Sequence, residues 1–455
     1  MKKPLSRSLR AFFGVGNFGY QFLVNIETAF FAIFLTDTVQ FPIYMVGIIM
    51  MTASIADFII APFSGALISG TKPMKWGRIR SWMLVSPPLV VVFYLLQFSN
   101  FGNGYFSAAL IIFGYIVSHA LWNIAFTADI AIIAEIAPNK EDRLLLGSRR
   151  MMFNNLGRMF SSYFTPAILV FLTLKLGNEN TAYSVLIIFA CVVLCLSFWT
   201  DFKMTKGYEG QSIQASARKA DFKDKLSLRE IVDSFVKNPP LFAIMLADLT
   251  SNVGSFLLPA LSVYYYKYVA GDMNILKYHL LLVSFGGLLG AYSSGYLFRK
   301  IYKKKALLLI YLIIATLLLT SSIFAYHTYV FIGFMVMIQF FVGMSQPMEA
   351  DLYMDTAIYH EWKSGKNATA FIMGLVNIPA KISIILKGII LTATFMAIGY
   401  VAGAEPTPEL KQGIVNAYVF VPAVFPIIGI IVLGFFFKLN PEFVMKMQKE
   451  IAERK

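Results

Sequence analysis

Charge is scarce in this sequence of 455 residues. Only 14% of its residues are charged, whereas soluble domains contain roughly a quarter. Hydrophobic residues make up 58% of the chain, and the mean hydropathy is +0.67. This composition excludes a soluble globular protein and indicates one that crosses a membrane many times.

Residues that bind metals or carry out catalysis are also few. Cys191 and Cys195 lie four residues apart in an apolar stretch without a nearby histidine or carboxylate, which favours packed helix residues over a metal or redox site. The chain has four histidines and no H-E-x-x-H motif. We find no pairing of a nucleophile with a base. The sequence therefore predicts neither an enzyme nor a bound cofactor.

Long apolar runs account for most of the chain. Because a bilayer needs about 20 apolar residues per span, we predict an all-α membrane protein with twelve transmembrane helices. Their predicted bounds are 11–38, 43–71, 81–99, 105–137, 149–176, 181–201, 239–268, 275–299, 306–326, 328–360, 368–400 and 412–438.

Positive charge is distributed unevenly along the chain. Of the 39 lysines and arginines, 32 fall in segments that twelve spans would place on one side of the membrane. By the positive-inside rule this side is the cytoplasm, so we predict an integral plasma (inner) membrane protein with both termini cytoplasmic. The net charge of +14 thus indicates orientation and attraction to anionic lipid rather than nucleic-acid binding.

One long polar segment divides the spans into two sets of six. Residues 202–238 are predicted to be a cytoplasmic linker between an N-terminal half (1–201) and a C-terminal half (239–438), followed by a cytoplasmic tail (439–455). Within the linker, "KLSLREIVDSFVKN" is predicted to form an amphipathic helix at the membrane surface. Two six-helix halves predict a secondary transporter that holds its substrate near the midplane.

Two glycine patterns resemble known motifs. "GVGNFG" (14–19) matches the G-x-G-x-x-G of dinucleotide-binding proteins, but a basic tail precedes it and a membrane helix follows it. "GGLLG" (286–290) has the Gly-x-x-x-Gly spacing of packed membrane helices. We expect both to let helices pack closely inside the chain.

Ionisable residues at apparent membrane depth are the strongest functional signal. Such residues usually face the interior of the helix bundle, pair with one another or line a polar cavity. A structural ion pair and a transport role are both open for each of them: Glu27, Asp57, Asp129, Glu135, Arg158, Asp248, Glu349, Asp351, Lys381 and Lys387.

Four separated stretches share one resemblance. They are "DFIIAPFSGALISGTKPMKWGRIRSW" (57–82), "NIAFTADIAIIAEIAPNKEDRLLLGSRRMMFNNLG" (123–157), "DTAIYHEWKSGKNATA" (355–370) and "FFFKLNPEF" (435–443). In order and spacing they resemble the glycoside–pentoside–hexuronide cation symporters, the melibiose-permease-like branch of the major facilitator superfamily. The resemblance implies that superfamily's fold and symport of a sugar with a cation by alternating access.

The resemblance also implies residues for cation coupling. Asp57 falls on the first carboxylate of the family's cation motif, but the second position, four residues later, is Ala61 here. Lys381 falls where these symporters keep a membrane lysine near the cation site. The positions that match the family's loop signatures are Arg78, Arg80, Asp355, Glu361 and Lys363.

Substrate-binding positions are carried over in the same way. Arg150 matches an arginine associated with sugar binding. Gln21 and Asn123 stand where the family has sugar-binding aspartates, and Thr127 and Gln346 stand where the melibiose site has tryptophans. From its own chemistry, Trp122 is the best aromatic candidate for stacking on a sugar ring.

The coupling ion follows from the missing second carboxylate. Na⁺ prefers several oxygen ligands, whereas one buried carboxylate suffices as a proton carrier, because desolvation favours its protonated form and a nearby lysine its charged form. We therefore expect H⁺ coupling first, Na⁺ coupling second and uncoupled diffusion third. The loss of two acidic sugar ligands slightly favours an anionic sugar such as a uronide.

Other functions remain open from the sequence. The chain could carry an amphiphilic solute such as a lysolipid, or bind a sugar as a sensor without moving it. The expected partners are a small sugar, a coupling cation and the lipid bilayer, with no nucleic acid, and we expect a functional monomer.

Overall fold

The computed structural model describes residues 4–72, 74–137, 139–208, 238–297, 301–365, 369–401 and 407–454. Twelve helical segments in these ranges are long and apolar enough to cross a membrane. The predicted all-α class with twelve spans is confirmed. Most of the predicted linker, with nearly all of its expected amphipathic helix, lies outside the described residues.

The first compact unit comprises Met1–Phe222, Asp272–Leu281 and Tyr400–Glu405. A π-helical turn at Phe34–Thr38 extends its second helix. Its helices are α1 (Arg7–Phe12), α2 (Val15–Ile33), α3 (Ile43–Ile60), α4 (Phe63–Gly70), α5 (Arg78–Gln97), α6 (Tyr105–Ile136), α7 (Lys140–Leu176) and α8 (Glu179–Met204).

The second unit comprises Lys223–Gly271, Leu282–Gly399 and Pro406–Lys455. A π-helical turn at Tyr265–Val269 extends its first helix. In chain order the helices are α9 (Pro239–Tyr264), α10 (Met273–Leu297, which begins within the first unit), α11 (Lys303–Ser321), α12 (Thr328–Ser364), α13 (Thr369–Leu375), α14 (Asn377–Ala397), α15 (Pro408–Phe436) and α16 (Pro441–Arg454).

The two units repeat one internal pattern of helix pairing. In the first, α2 packs against α7 and α8, and α5 packs against α6 and α8. In the second, α9 packs against α14 and α15, and α11 packs against α12 and α15. The same four pairs therefore recur six spans later, and α2 and α9 both continue into a π-helical turn. This repetition indicates that the two halves arose from one six-helix module.

Two predicted spans are broken in the structure. The second span divides into α3 and α4 at Ala61 and Pro62. Proline has no N–H, and its ring collides with the carbonyl four residues earlier in a continuous helix. The eleventh span divides at Val376, and Pro379 lies in the first turn of α14, where a missing N–H costs little.

The fifth span begins earlier than predicted. Helix α7 starts at Lys140 rather than at 149, so most of the segment interpreted as a loop is helical. The side chain of Asn139 accepts a hydrogen bond from the amide of Asp142 at 2.7 Å, and two acidic residues occupy the first turn. Both features stabilise a helix N-terminus.

Outward-facing surfaces of the spans are apolar. Large hydrophobic side chains remain exposed along helices of both units, as expected where a helix faces lipid tails rather than water. Examples are Ile59, Val92, Phe171, Leu196, Leu312, Met337, Ile431 and Phe435.

The glycine patterns bring helices into close contact, as predicted. A Cβ atom added to Gly290 would overlap the backbone oxygen of Phe340, and one added to Gly287 would lie 3.2 Å from Gln339 Cγ. A Cβ added to Gly14 would lie 2.5 Å from Arg150 Cα. These contacts place α10 against α12, and the start of α2 against α7, at distances that only glycine permits.

Substitution of Gly290 by alanine should therefore destabilise the second unit. Because the new methyl group meets backbone rather than a flexible side chain, α10 and α12 must separate, at a cost of about 1–3 kcal/mol or more. Thermal unfolding of the detergent-solubilised chain measures this as a lower midpoint. Gly295→Ala is the matched control, because nothing lies within 4 Å of the added atom; equal midpoints for the two variants would contradict the expectation.

Candidate transport site

The centre of the candidate site is a buried contact between Asp57 on α3 and Asn123 on α6. The Asn123 side-chain amide donates a hydrogen bond of 2.6 Å to one carboxylate oxygen of Asp57. Each residue is 8% exposed. The structure therefore brings together the predicted coupling acid and one predicted substrate ligand.

Asp57 lies one turn before the break between α3 and α4. Its backbone oxygen accepts a hydrogen bond from Ala61, the residue that replaces the second carboxylate of the family's motif. Because residues four apart share a helix face, a methyl group stands where that second carboxylate would stand. This face of α3 therefore carries one carboxylate, that of Asp57, at the two motif positions.

An aromatic wall lies beside Asn123. The ring of Trp122 lies 5.3 Å from that of Tyr20, and Tyr20 lies 4.7 Å from Phe126, measured between centroids. Phe126 in turn faces the guanidinium of Arg150, 4.4 Å from the centre of its ring. Aromatic rings of this kind can stack on a sugar ring.

Arg150 forms an ion pair with Asp129 of α6. Its Nε donates to Asp129 Oδ2 at 2.8 Å, and the side chain of Asp129 is 0% exposed. Asn17 donates to the same oxygen. The guanidinium lies 4.4 Å from the centre of the Phe126 ring. One guanidinium nitrogen, Nη2, is buried without a hydrogen-bond partner among the described residues, so Arg150 keeps donor capacity for a substrate.

The start of α2 binds a carboxylate of the chain itself. The amides of Gly14 and Gly16 donate to the two oxygens of Asp201 at 3.2 and 2.6 Å. A helix N-terminus favours an anion there, and Asp201 supplies one. The resemblance of "GVGNFG" to a nucleotide-binding motif therefore has a structural explanation.

Two further predicted ligands lie in the same unit. Gln21 is 8% exposed and accepts a hydrogen bond of 3.2 Å from Asn154 of α7. Thr127 is half-buried, and its methyl group would lie 3.9 Å from a Cβ atom at Gly65 of α4. Gln21 thus belongs to the polar lining between α2 and α7, and Thr127 to the contact between α6 and α4.

Sequence reasoning missed His119. It is 2% exposed on α6 and lies 3.1 Å from a carboxylate oxygen of Glu27 on α2. The other oxygen of Glu27 accepts from Gln97 of α5 at 3.1 Å. The available sequence signal for this cluster was a glutamate in the first span and a histidine in the fourth span, both at membrane depth.

Two predicted residues, Lys381 and Gln346, lie in the second unit. Lys381 is half-buried on α14, and Gln346 is exposed on α12. The same unit buries Asp248 and Glu349, each 5% exposed. Asp248 accepts from the Tyr353 hydroxyl at 2.9 Å, and Glu349 accepts from the Tyr311 hydroxyl at 2.8 Å.

A small cavity of about 20 Å³ adjoins Tyr311, whose hydroxyl donates to Glu349. Its lining includes Thr250, Ser251, Ser255, Tyr311, Pro422 and Pro426. A cavity of this size has room for about one water molecule and not for a sugar.

The loop-signature residues lie at helix ends. Arg80 is buried at the start of α5, donates to the Phe202 backbone oxygen at 2.7 Å and to Thr205 Oγ1 at 3.1 Å, and so fixes α5 to the end of α8. Asp355 accepts from the Tyr302 hydroxyl at 3.0 Å. Arg78, Glu361 and Lys363 lie near helix ends and are exposed or half-exposed.

Carboxylate, amide, guanidinium and aromatic groups thus converge within the first unit on α2, α3, α6 and α7. Such groups hydrogen-bond and stack on hydroxylated rings, and a buried carboxylate can exchange a proton. In the described part of the chain, no group of three or more His, Cys, Asp or Glu residues is arranged to hold a metal ion.

Known proteins share this architecture. The chain has a TM-score of 0.67 to a crystal structure of a D-xylose–proton symporter, covering 96% of this chain and 97% of that one at 14% identity. The TM-score is 0.62 to a bacterial homologue of the human lysosomal transporter Spinster, covering 97% and 100% at 12% identity. The chain therefore shares the fold of these two proteins over nearly its whole length.

Sequence comparison identifies the family. The MFS/sugar transport protein family matches residues 12–441, so the chain belongs to this family. It is 25% identical to the uncharacterized symporter YjmB of Bacillus subtilis (strain 168), over 97% of this chain and 94% of the relative. It is 25% identical to a putative sulfoquinovose importer of Escherichia coli (strain K12), over 97% and 93%. The isoprimeverose transporter of Lactiplantibacillus pentosus is 22% identical over 99% and 93%.

Proposed function

We propose that this chain is a proton-coupled sugar symporter in which Asp57 binds the coupling proton. The contact between Asp57 and Asn123 carries the proposal, because it joins a buried ionisable group to a residue that can hydrogen-bond a sugar hydroxyl. A proton on Asp57 changes the hydrogen bonds that Asn123 can offer to a substrate. Proton binding and sugar binding are thereby linked, which is what symport requires.

The lone carboxylate on this face of α3 supports H⁺ rather than Na⁺ as the coupling ion. With Ala61 in the second position, a sodium ion would lack one of two charged ligands, whereas a proton needs one oxygen. Lys381 is proposed as the basic partner that alternates with the proton on Asp57 during the cycle.

The proposed substrate is a glycoside, a pentoside or a hexuronide. Relatives named for isoprimeverose and sulfoquinovose support a sugar. Because Asp129 already balances the charge of Arg150, the pair attracts a uronide less than a bare guanidinium would. Donors and acceptors from Gln21, Asn123 and Arg150, with stacking on Trp122, suit a neutral sugar ring equally well.

The proposed orientation has both termini in the cytoplasm, and the proposed functional form is a monomer in the plasma membrane. The bias of lysine and arginine toward one set of connecting segments supports this orientation.

A substrate panel tests the proposed function. Purified chain in proteoliposomes is offered labelled neutral glycosides, pentosides and hexuronides, with and without Na⁺, at two pH values. We expect an inward proton gradient to drive uptake of at least one sugar without Na⁺. Binding without flux would indicate a sensor instead, and competition by lysolipid but not by sugars would indicate an amphiphile carrier.

Restoring the second carboxylate should change the ion preference. In Ala61→Asp the new carboxylate shares a helix face with Asp57, so two anionic ligands become available to Na⁺. We expect Na⁺ to stimulate uptake in this variant and not in the wild type, with Ala61→Asn as the uncharged control. Unchanged Na⁺ response in Ala61→Asp would show that this helix face does not select the ion.

A further inference from the structure

A second buried titratable pair lies in the first unit, outside the contact of Asp57 with Asn123. Glu27 Oε1 and His119 Nε2 are 3.1 Å apart, and Gln97 donates to Glu27 Oε2 at 3.1 Å. The side chains of His119 and Glu27 are 2% and 13% exposed. In the described ranges, no lysine or arginine forms an ion pair with Glu27, so the imidazole is its basic partner.

Hydrogen bonding fixes how many protons the pair holds. His119 Nδ1 lies 2.9 Å from the backbone oxygen of Tyr115, and a carbonyl oxygen only accepts, so Nδ1 carries a hydrogen. The Ser118 hydroxyl, 3.4 Å from Nδ1, can accept from the same N–H. Without a second proton, the lone pair of Nε2 would face a carboxylate oxygen. A proton placed between Nε2 and Oε1, on either atom, would give both atoms a hydrogen-bond partner.

The surroundings of this proton are largely uncharged. Aromatic rings enclose the imidazole: Tyr115 lies 3.7 Å and Trp122 lies 3.9 Å from it, between centroids. Titratable groups close to the pair are Tyr115, which stacks on the imidazole, and Tyr20 and Tyr94, whose rings pack on Trp122. Asp57 lies in the neighbouring contact with Asn123. Only Asp57 among these ionises readily near neutral pH.

Trp122 joins the pair to the candidate sugar site. Its ring packs on His119 on one side and on Tyr20 on another, and its neighbour in sequence is Asn123. A sugar that stacks on Trp122 must fix the position of this ring. Because the same ring packs on the imidazole, a sugar stacked on Trp122 would lie one aromatic ring away from the pair.

We propose that Glu27 and His119 form a second proton-binding site, separate from Asp57, which loads and unloads one proton in each transport cycle. The step is proton binding alone: the pair takes H⁺ from water on one side, holds it between Nε2 and Oε1, and releases it on the other side. The inference rests on the proposed symport for the fate of the proton, but the presence of that proton is independent of transport.

The first test reads the proton directly. Nitrogen-15 NMR of histidine-labelled chain, with His119→Gln used to assign the signal, reports which imidazole nitrogens carry hydrogen. At pH 7 we expect hydrogen on Nδ1 and a shared hydrogen at Nε2. In Glu27→Gln the side-chain amide can donate to Nε2, so we expect a bare Nε2. A bare Nε2 in the wild type, together with an ionised Glu27 carboxylate in the infrared difference spectrum between wild type and Glu27→Gln, would overturn the proposal, whether or not the chain transports sugar.

The second test counts protons in transport. Steady-state accumulation of the sugar identified by the panel is measured against the imposed pH gradient. A symporter that moves two protons accumulates about tenfold more per pH unit than one that moves one proton, because one pH unit corresponds to tenfold in equilibrium. Glu27→Gln and His119→Gln should therefore each lose about tenfold in accumulation per pH unit, while exposed His327→Gln should lose nothing.

Folding failure is separated from proton loss by a double variant. Glu27→Gln with His119→Gln replaces both partners by neutral amides that can hydrogen-bond each other, which leaves no unpaired buried group. We expect it to fold and to show the one-proton accumulation. If it shows the wild-type dependence on the gradient, the pair does not carry a transported proton, even if symport through Asp57 stands.

Discussion

Asp57→Asn should abolish uphill accumulation of the sugar while sugar exchange across the membrane continues. The asparagine side chain mimics a permanently protonated carboxyl, so the empty carrier cannot return in its charged form. Wild-type chain should accumulate sugar at least about tenfold per pH unit of inward gradient, since each transported proton supplies about 1.36 kcal/mol per unit. The variant should exchange labelled sugar but show no net uphill uptake, because a carrier that cannot return empty completes no net cycle, whatever proton Glu27 and His119 hold.

Two assays and one control variant distinguish loss of proton coupling from general loss of transport. Net uptake under a proton gradient and exchange at equal concentrations are measured on the same proteoliposomes. Asp272→Asn makes the same chemical change at an exposed position between spans, where the asparagine can still accept from the Asn274 amide as Asp272 does. We expect wild-type accumulation in this control. Wild-type accumulation in Asp57→Asn would remove Asp57 from the coupling site.

Arg150→Ala should destabilise the first unit strongly. It leaves the carboxylate of Asp129, which is fully buried, with Asn17 as its remaining side-chain hydrogen-bond donor among the described residues. Removal of one partner from a buried ion pair costs about 3–5 kcal/mol, because the other charge is left uncompensated. Thermal unfolding of the solubilised chain should show this as a large fall in the midpoint.

The double variant Arg150→Ala with Asp129→Ala separates stability from substrate binding. It removes the orphaned carboxylate, so we expect most of the lost stability to return. Sugar affinity should remain weak, because the free Nη2 donor of Arg150 is proposed to bind the substrate. Wild-type affinity in the double variant would show that Arg150 serves only to hold α6 and α7 together.

The number of spans could be predicted from the sequence because each apolar run must satisfy its backbone in lipid. The breaks at Pro62 and Val376 were missed, since hydropathy does not register where a helix bends. The early start of α7 was missed for a different reason. The polar first turns of that helix read as a loop, although Asn139, Glu141 and Asp142 form a helix start signal.

The site could be predicted only in part. Asp57 is recognisable because a carboxylate in an apolar run is costly and rare. Its contact with Asn123 is not, because lipid tails are as apolar as the bundle core and hydrophobicity does not reveal which way a membrane helix faces. For the same reason, Asp129 was noticed at membrane depth and Arg150 as a substrate-binding candidate, but their pairing was not predicted.

The direct test of the account is accumulation of labelled sugar by wild-type proteoliposomes under an imposed inward proton gradient in sodium-free buffer. Proton coupling at Asp57 predicts concentration of the sugar inside the vesicles that rises with the gradient and collapses when a protonophore is added. Uptake that merely equilibrates, or that becomes uphill only when Na⁺ is supplied, would contradict it.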